Sequence, residues 1–214
     1  MTRRGRLVTF EGGEGAGKST QIERLAAALR AAGLDPLLTR EPGGTPGAEQ
    51  IRELLVQGPP ERWLPLSEAL LLLAARYDHL VRRLAPALAD GRWVLCDRFM
   101  DSTRVYQGMA GAVGEAVIDG LHATVLGDLR PDLTLILDVP VATGLGRQGT
   151  LGRQRYEQMT EAFHERVREG FLALARAEPK RCAVIDATRP IDAVAAEVRD
   201  LVAGRFGLDL AASA

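Results

Sequence analysis

Residues Gly12 to Ser19 read G-G-E-G-A-G-K-S and fit the phosphate-loop pattern G-x-x-x-x-G-K-[ST] at every required position, with Thr20 directly after. Gly12, Gly13, Gly15 and Gly17, with the small Ala16 among them, let successive backbone N–H groups curl around phosphate oxygens. Lys18 can bridge the β- and γ-phosphates of ATP, and the Ser19 hydroxyl suits Mg²⁺. Glu14 is at odds with that task, because a carboxylate repels the anion the loop surrounds.

A second cluster stands at Asp97 and Arg98, after the apolar run RWVLC. An arginine at the C-terminal edge of a strand projects into the crevice where α/β sheets bind ligands. Its guanidinium can bind phosphate with two hydrogen bonds. The competing use of Arg98 is an ion pair with Asp97 or Glu41. Asp97 and Asp138 both end apolar runs and are rival Mg²⁺ acids, with Asp97 the stronger candidate. A third cluster is the polar stretch 146–155, GRQGTLGRQR, which carries Arg147, Arg153 and Arg155 among three glycines. It has the composition of a short lid, spanning about 146–156.

These groups need a scaffold, and the apolar pattern supplies one. RLVTFE (6–11), PLLT (36–39), RWVLCD (92–97), DLTLILDV (132–139) and CAVIDA (182–187) read as strands. Helical stretches alternate with them, at 18–32, 48–57, 66–89, 114–127, 141–147, 156–177 and 191–206. In the first, Ile22, Leu25, Ala26 and Leu29 share one face and Gly33 is a stop. The alternation predicts a parallel five-stranded sheet with helices on both faces. The continuously apolar strands suit burial on both sides. With a strand before the phosphate loop and a helix after it, the fold class is α/β of the P-loop NTPase type.

The chain has 214 residues, consistent with one domain over 1–214. Its formal net charge is −1, with none of the basic excess of a duplex-gripping protein, so no nucleic-acid partner is expected. The two cysteines, Cys96 and Cys182, lie in apolar strands and read as buried thiols. The apolar run near the N-terminus is too short for a signal segment, and Ala69 to Ala75 is too short for a membrane span. A soluble, cytoplasmic protein is the expectation. No N-K-x-D guanine motif is present, and a motor ATPase usually runs longer. A kinase for a small acceptor fits best.

The acceptor side resembles one family, thymidylate kinase (dTMP kinase). FEGGEGAGKST, LLTREPGGT, AARYDHL, CDRFMDSTRVYQG, RPDLTLILDV and FHERVREGFLALA match it in order from the first strand to the last. The resemblance implies a Mg²⁺-dependent homodimer that moves the ATP γ-phosphoryl group to dTMP, giving dTDP. It implies that Arg98 holds the dTMP phosphate and that Arg76 reads the thymine edge. Thr103 and Gln107 match positions near the base, and Tyr106 the ring set against the deoxyribose 2′ carbon. Glu14 would face the acceptor 3′-OH. Pro42 would shape the REPGG loop, a cis bond before it being left open, and Arg52 is a further candidate for the acceptor phosphate. The three lid arginines place the chain with the members that carry catalytic cations there instead of in the phosphate loop. Three departures stand out: Leu72 where a phenylalanine usually stacks on thymine, MAGAVG after YQG, and Gln154 in place of an acid. The three histidines read as structural or surface residues.

Overall fold

The computed structural model describes residues 4–148 and 155–210, the side chain of Gln148 excepted. Five strands form one sheet: β1 (Arg6–Glu11), β2 (Leu37–Arg40), β3 (Trp93–Asp97), β4 (Leu133–Asp138) and β5 (Cys182–Asp186). Their order is β2-β3-β1-β4-β5, and every pairing is parallel. Phe10 of β1 faces Asp97 of β3 on one side and Leu135 of β4 on the other. The strand order reverses direction at β1, which puts the phosphate loop at the switch point where α/β sheets bind ligands.

Side chains alternate across the sheet, so each face makes its own core. Val8, Phe10, Leu95 and Leu135 pack against Ile22, Leu25 and Leu29 of α1 (Lys18–Ala31) and against Val194, Val198 and Val202 of α9 (Ile191–Phe206). On the other face Leu7, Val94 and Cys96 meet Leu84, Leu88 and Leu126, the last from α6 (Glu115–Leu126). Further along that face, Ile136 packs with Val167, Phe171 and Leu174 of α8 (Glu161–Ala177). Both cysteines are buried and unpaired.

The 66–89 stretch is one rod with a wide turn in it. α3 (Pro65–His79) passes into a π-helical turn over Leu80–Leu84 and then into α4 (Ala85–Ala89). Pro86 offers no N–H and would press on the carbonyl of residue 82 in a regular helix, so the backbone widens just before it. Two short helical segments were not legible in the sequence pattern. α5 (Met100–Thr103) runs into a π-helical turn over Arg104–Met109. The chain around the expected lid begins with α7 (Val141–Gln148) and resumes in a 3₁₀ turn over Arg155–Gln158. α2 (Pro46–Val56) is capped by Thr45, whose hydroxyl accepts from the Ala48 N–H.

Candidate active site

A cleft of about 690 Å³ opens at the C-terminal ends of β1 and β3. The phosphate loop and Lys18 form one end. Arg98 stands near the middle, and Leu72, Arg76 and Gln107 form part of the far wall. The donor loop, the strand-end arginine and the residues assigned to the base therefore share one cavity.

The donor end follows from glycine geometry. Gly12 has φ 130° and Gly15 φ 66°, conformations that side chains resist. A Cβ on Gly15 would collide with the Gly144 carbonyl of α7, so the loop also needs glycine to seat on its neighbour. Gly17 precedes the first turn of α1, whose N-terminal N–H groups and dipole favour an anion here. Lys18 Nζ donates to the carbonyls of Gly13 at 2.9 Å and Gly12 at 3.3 Å. Burial, then the nearby Arg98 charge, pull its pKa below the usual lysine value.

Ser19 Oγ donates to Asp97 Oδ2 at 2.9 Å, so the two hard oxygen donors expected for Mg²⁺ are already side by side. Their rival, Asp138, is taken up by Arg168, with contacts of 2.7 and 2.9 Å. Among the described residues no cluster of three His, Cys, Asp or Glu side chains could cage a metal. A Mg²⁺ that keeps its waters and binds substrate phosphates needs only one or two protein oxygens, and Ser19 with Asp97 fits that requirement.

Arg98 is the one non-glycine residue with positive φ among the described residues, at 63°. Such a conformation is strained and persists only where the surroundings fix it. Here its N–H donates to Phe10 O at 2.9 Å, and its guanidinium donates to Gly12 O at 3.0 Å, Ser102 Oγ at 3.2 Å and Glu14 Oε1 at 2.9 Å. The partner is thus Glu14, and neither Asp97 nor Glu41. Tyr106 donates its hydroxyl to the same Glu14 oxygen at 3.0 Å and lays its ring under the Arg98 guanidinium. Burial would raise the Glu14 pKa, but Arg98, Lys18 and Tyr106 outweigh it and hold the carboxyl down to about 2. Burial and the Glu14 charge push the Tyr106 phenol well up, so it stays a donor.

Glu11 is a site residue that the sequence pattern does not reveal. It is fully buried, accepts from the backbone N–H of Phe99 at 2.8 Å and from Ser102 Oγ at 2.6 Å, and so ties β1 to the loop that carries Arg98. Burial, then the Asp101 charge, raise its pKa to about 7. Its only sequence signal is an acid closing an apolar strand.

At the far end Arg76 is 3% exposed and held by four acceptors. They are Glu41 Oε2 at 2.6 Å, Thr103 Oγ1 at 3.0 Å, His122 Nε2 at 2.8 Å and Phe99 O at 2.9 Å. Because arginine can only donate, His122 must accept at Nε2 and is the neutral imidazole; burial and then Arg76 pull its pKa down to about 3. His79 Nδ1 meets Glu41 Oε1 at 3.0 Å and its Nε2 meets Thr39 Oγ1 at 2.7 Å, completing the chain. All three histidines are buried, so none is a surface residue. Leu72 lines the cleft, and the Glu41–Pro42 peptide is cis. Arg52 also lines it and donates to Pro42 O at 2.9 Å.

The lid arginines separate. Arg147 lines the cleft and reaches Gly15 O at 3.4 Å and Ala187 O at 3.1 Å. Arg153 lies outside the described residues. Arg155 is not brought to the phosphate loop. It is 1% exposed, pairs with Glu68, and donates to Leu55 O at 2.9 Å and Pro60 O at 2.6 Å. In the present geometry each of its three guanidinium nitrogens donates to the protein, and nothing in the spacing of arginines along 147–155 could have signalled a partner as distant as Glu68.

Comparisons with known proteins point to a single family. A family profile described as thymidylate kinase matches residues 10–198. The chain is 56% identical over 205 residues to the thymidylate kinase of Caulobacter vibrioides, covering 95% of this chain and 99% of that one. It is 54% identical over 202 residues to that of Dinoroseobacter shibae, covering 92% and 96%. Among solved structures, the thymidylate kinase of Ehrlichia chaffeensis superposes with a TM-score of 0.77 at 35% identity, over 93% of this chain and 99% of that one. With the phosphate loop, the strand-end arginine and a match across nearly the whole length in agreement, the chain belongs to the thymidylate kinase family.

Proposed function

We propose that this chain transfers the γ-phosphoryl group of ATP to the phosphate of dTMP, giving dTDP and ADP, with the residue roles that follow. The observation that carries the proposal is the single cleft in which Lys18, Arg98 and the Arg76–Gln107 wall face one another. ATP places its phosphates on Gly12–Thr20, and Lys18 leaves its own loop carbonyls for the β- and γ-oxygens. Ser19 and Asp97 would hold Mg²⁺, which would supply charge neutralisation. Arg98 and Arg52 hold the acceptor phosphate, and Pro42 shapes the wall beside it. Leu72 covers one face of the base, with Arg76, Thr103 and Gln107 around its edge. Tyr106 stands where a ribose 2′-OH would fall, and Glu14 faces the acceptor 3′-OH while it steadies Arg98.

No general base is needed, because a phosphate monoester is largely dianionic near neutral pH (second pKa about 6). Catalysis then consists of in-line positioning and stabilisation of charge on the equatorial oxygens. Among the described lid residues Arg147 is the cation best placed to join Lys18 and Arg98.

A homodimer is the assembly we infer, supported by a stripe of exposed apolar side chains along the α3 rod. Leu66, Leu70, Tyr77 and Val81 are 49%, 49%, 55% and 51% exposed, with Val117 of the neighbouring α6 at 48%. Isolated exposed apolar residues are ordinary, but a row of them on one helix face supports an interface there. A cytoplasmic location suits a nucleotide kinase, and among the described residues no helix is long and apolar enough to cross a membrane.

ADP formation measured across dTMP, dUMP, UMP, dCMP and thymidine tests the function. A strong preference for dTMP is expected, and a preference for UMP or thymidine overturns the proposal.

A further inference from the structure

We propose that Glu68 sets the base specificity of the cleft by fixing which end of the Gln107 amide faces the acceptor. The inference rests on the dTMP kinase reading and adds a residue to it. Glu68 and Gln107 come from α3 and from the π-helical turn after α5, and both are buried. Gln107 Nε2 donates to Glu68 Oε1 at 2.6 Å. The other Glu68 oxygen is taken by the Arg155 guanidinium, which is itself pinned by Leu55 O and Pro60 O. A guanidinium only donates, and a carboxylate paired with one accepts at both oxygens. The amide nitrogen of Gln107 must therefore point at Glu68, and its carbonyl oxygen must point away.

That oxygen takes no bond from any described residue, and Gln107 lines the cleft. On the same wall Arg76 has five N–H donors, four of which are spent on Glu41, Thr103, His122 and Phe99. One Nη2 hydrogen remains, and Arg76 lines the same cavity. The wall thus offers one donor and one acceptor. A 4-oxo pyrimidine is complementary, since its O4 accepts and its N3–H donates. Cytosine presents the reverse pattern, with N3 accepting and the 4-amino group donating. Buried polar groups left facing their own kind reject a ligand far more strongly than a shape mismatch does.

The orientation of a glutamine amide is ordinarily free to reverse. Here Glu68 removes that freedom, and Arg155 removes the freedom of Glu68. The base contact is made by Gln107, so Glu68 is a positioning residue, and the selectivity belongs to the pair.

The test is kcat/KM for dTMP and for dCMP, at saturating ATP and Mg²⁺, in the full chain and in Glu68→Gln, Gln107→Leu and the double variant. The Glu68→Gln side chain can donate as well as accept, which frees the Gln107 amide to reverse. The expected result is a raised KM for dTMP, kcat within about threefold of wild type, and a preference for dTMP over dCMP reduced by about tenfold, the worth of one misdirected hydrogen bond. Adding Glu68→Gln to Gln107→Leu is expected to change the preference no further. Should Glu68→Gln fold poorly, Glu68→Gln with Arg155→Gln keeps the site neutral and carries the same expectation. An unchanged dTMP/dCMP preference in Glu68→Gln, or a further loss in the double variant, overturns the proposal. Absence of dTMP kinase activity in the wild type is a different outcome, and it overturns the functional reading on which the proposal stands.

Discussion

Arg98 Nη2 lies 2.9 Å from Glu14 Oε1, joining the strand-end arginine to the carboxylate inside the phosphate loop. Both side chains are mostly buried, at 17% and 15% exposure, so the pair is held rather than solvated. The strained Arg98 backbone and the unusual acid in the loop thus account for each other. Removal of Arg98 should abolish the acceptor contact: Arg98→Ala is expected to lower kcat at least about 10²-fold, as loss of a transition-state donor does. Far-UV circular dichroism should stay native. Near-normal turnover would take Arg98 out of the mechanism.

The Ser19–Asp97 contact predicts where the metal is held. Chelation of Mg²⁺ should stop turnover, and its re-addition should restore it. Ser19→Ala and Asp97→Asn should each raise the Mg²⁺ concentration for half-maximal activity by about 10-fold or more. The same loss in Asp138→Asn, with Asp97→Asn unaffected, would reverse the choice between the two acids.

Arg155 should matter first to stability. Arg155→Ala leaves Glu68 as an uncompensated buried carboxylate, a loss of about 3–5 kcal/mol. For a chain of this size that lowers Tm by roughly 10 °C. Thermal unfolding checks it directly. A variant with wild-type Tm but kcat reduced several hundredfold would instead return Arg155 to the phosphate chemistry.

His122 makes stability depend on pH. Its folded pKa of about 3 lies below the ordinary 6.5, because burial and Arg76 oppose a charge there. The unfolded chain therefore takes up this proton first, so the stabilisation is complete above pH 6.5. It is lost toward pH 3 by up to about 1.4 kcal/mol per unit. His122→Gln keeps an acceptor for Arg76 and has no proton to gain. Denaturant midpoints measured between pH 6.5 and 4 should fall less steeply in the variant, and parallel curves would exclude His122 as the source.

The α3 stripe predicts its own disruption. Leu70→Glu and Tyr77→Glu put charge into the proposed interface and should yield monomers in sedimentation velocity, while the wild type sediments as a dimer. A wild type that is monomeric at micromolar concentration would remove the dimer.

What the sequence revealed and what it hid divide along physical lines. The central strands were legible because burial on both faces makes them continuously apolar, and α1 and α9 because their buried residues repeat with a helical period, as at Ile22, Leu25 and Leu29. The phosphate loop was legible because its glycines serve backbone geometry that no other residue supplies. The helix after Phe99 was not, since Ser102, Thr103 and Val105 favour no helix on their own. It is held by Glu11 at its start and by the Asp101–Arg181 pair, 2.5 Å apart. Arg155 and Glu68 were hidden for a related reason. A buried arginine and a solvated one look alike in a polar, glycine-rich stretch, and the partner that decides between them is 87 residues away. The base-side roles of Arg76 and Gln107 came from resemblance, and the side chains that orient them, Glu41, His122 and Glu68, are visible only in three dimensions.

The pairing of β1 with β3, Phe10 opposite Asp97, works as a ruler. The phosphate loop leaves one strand and Arg98, the proposed acceptor arginine, leaves the next, so their separation begins from an inter-strand spacing of about 4.8 Å, enforced by backbone hydrogen bonds. Nothing in that gauge depends on a side chain. Surface loops can therefore vary in sequence without lengthening the proposed path of the phosphoryl group.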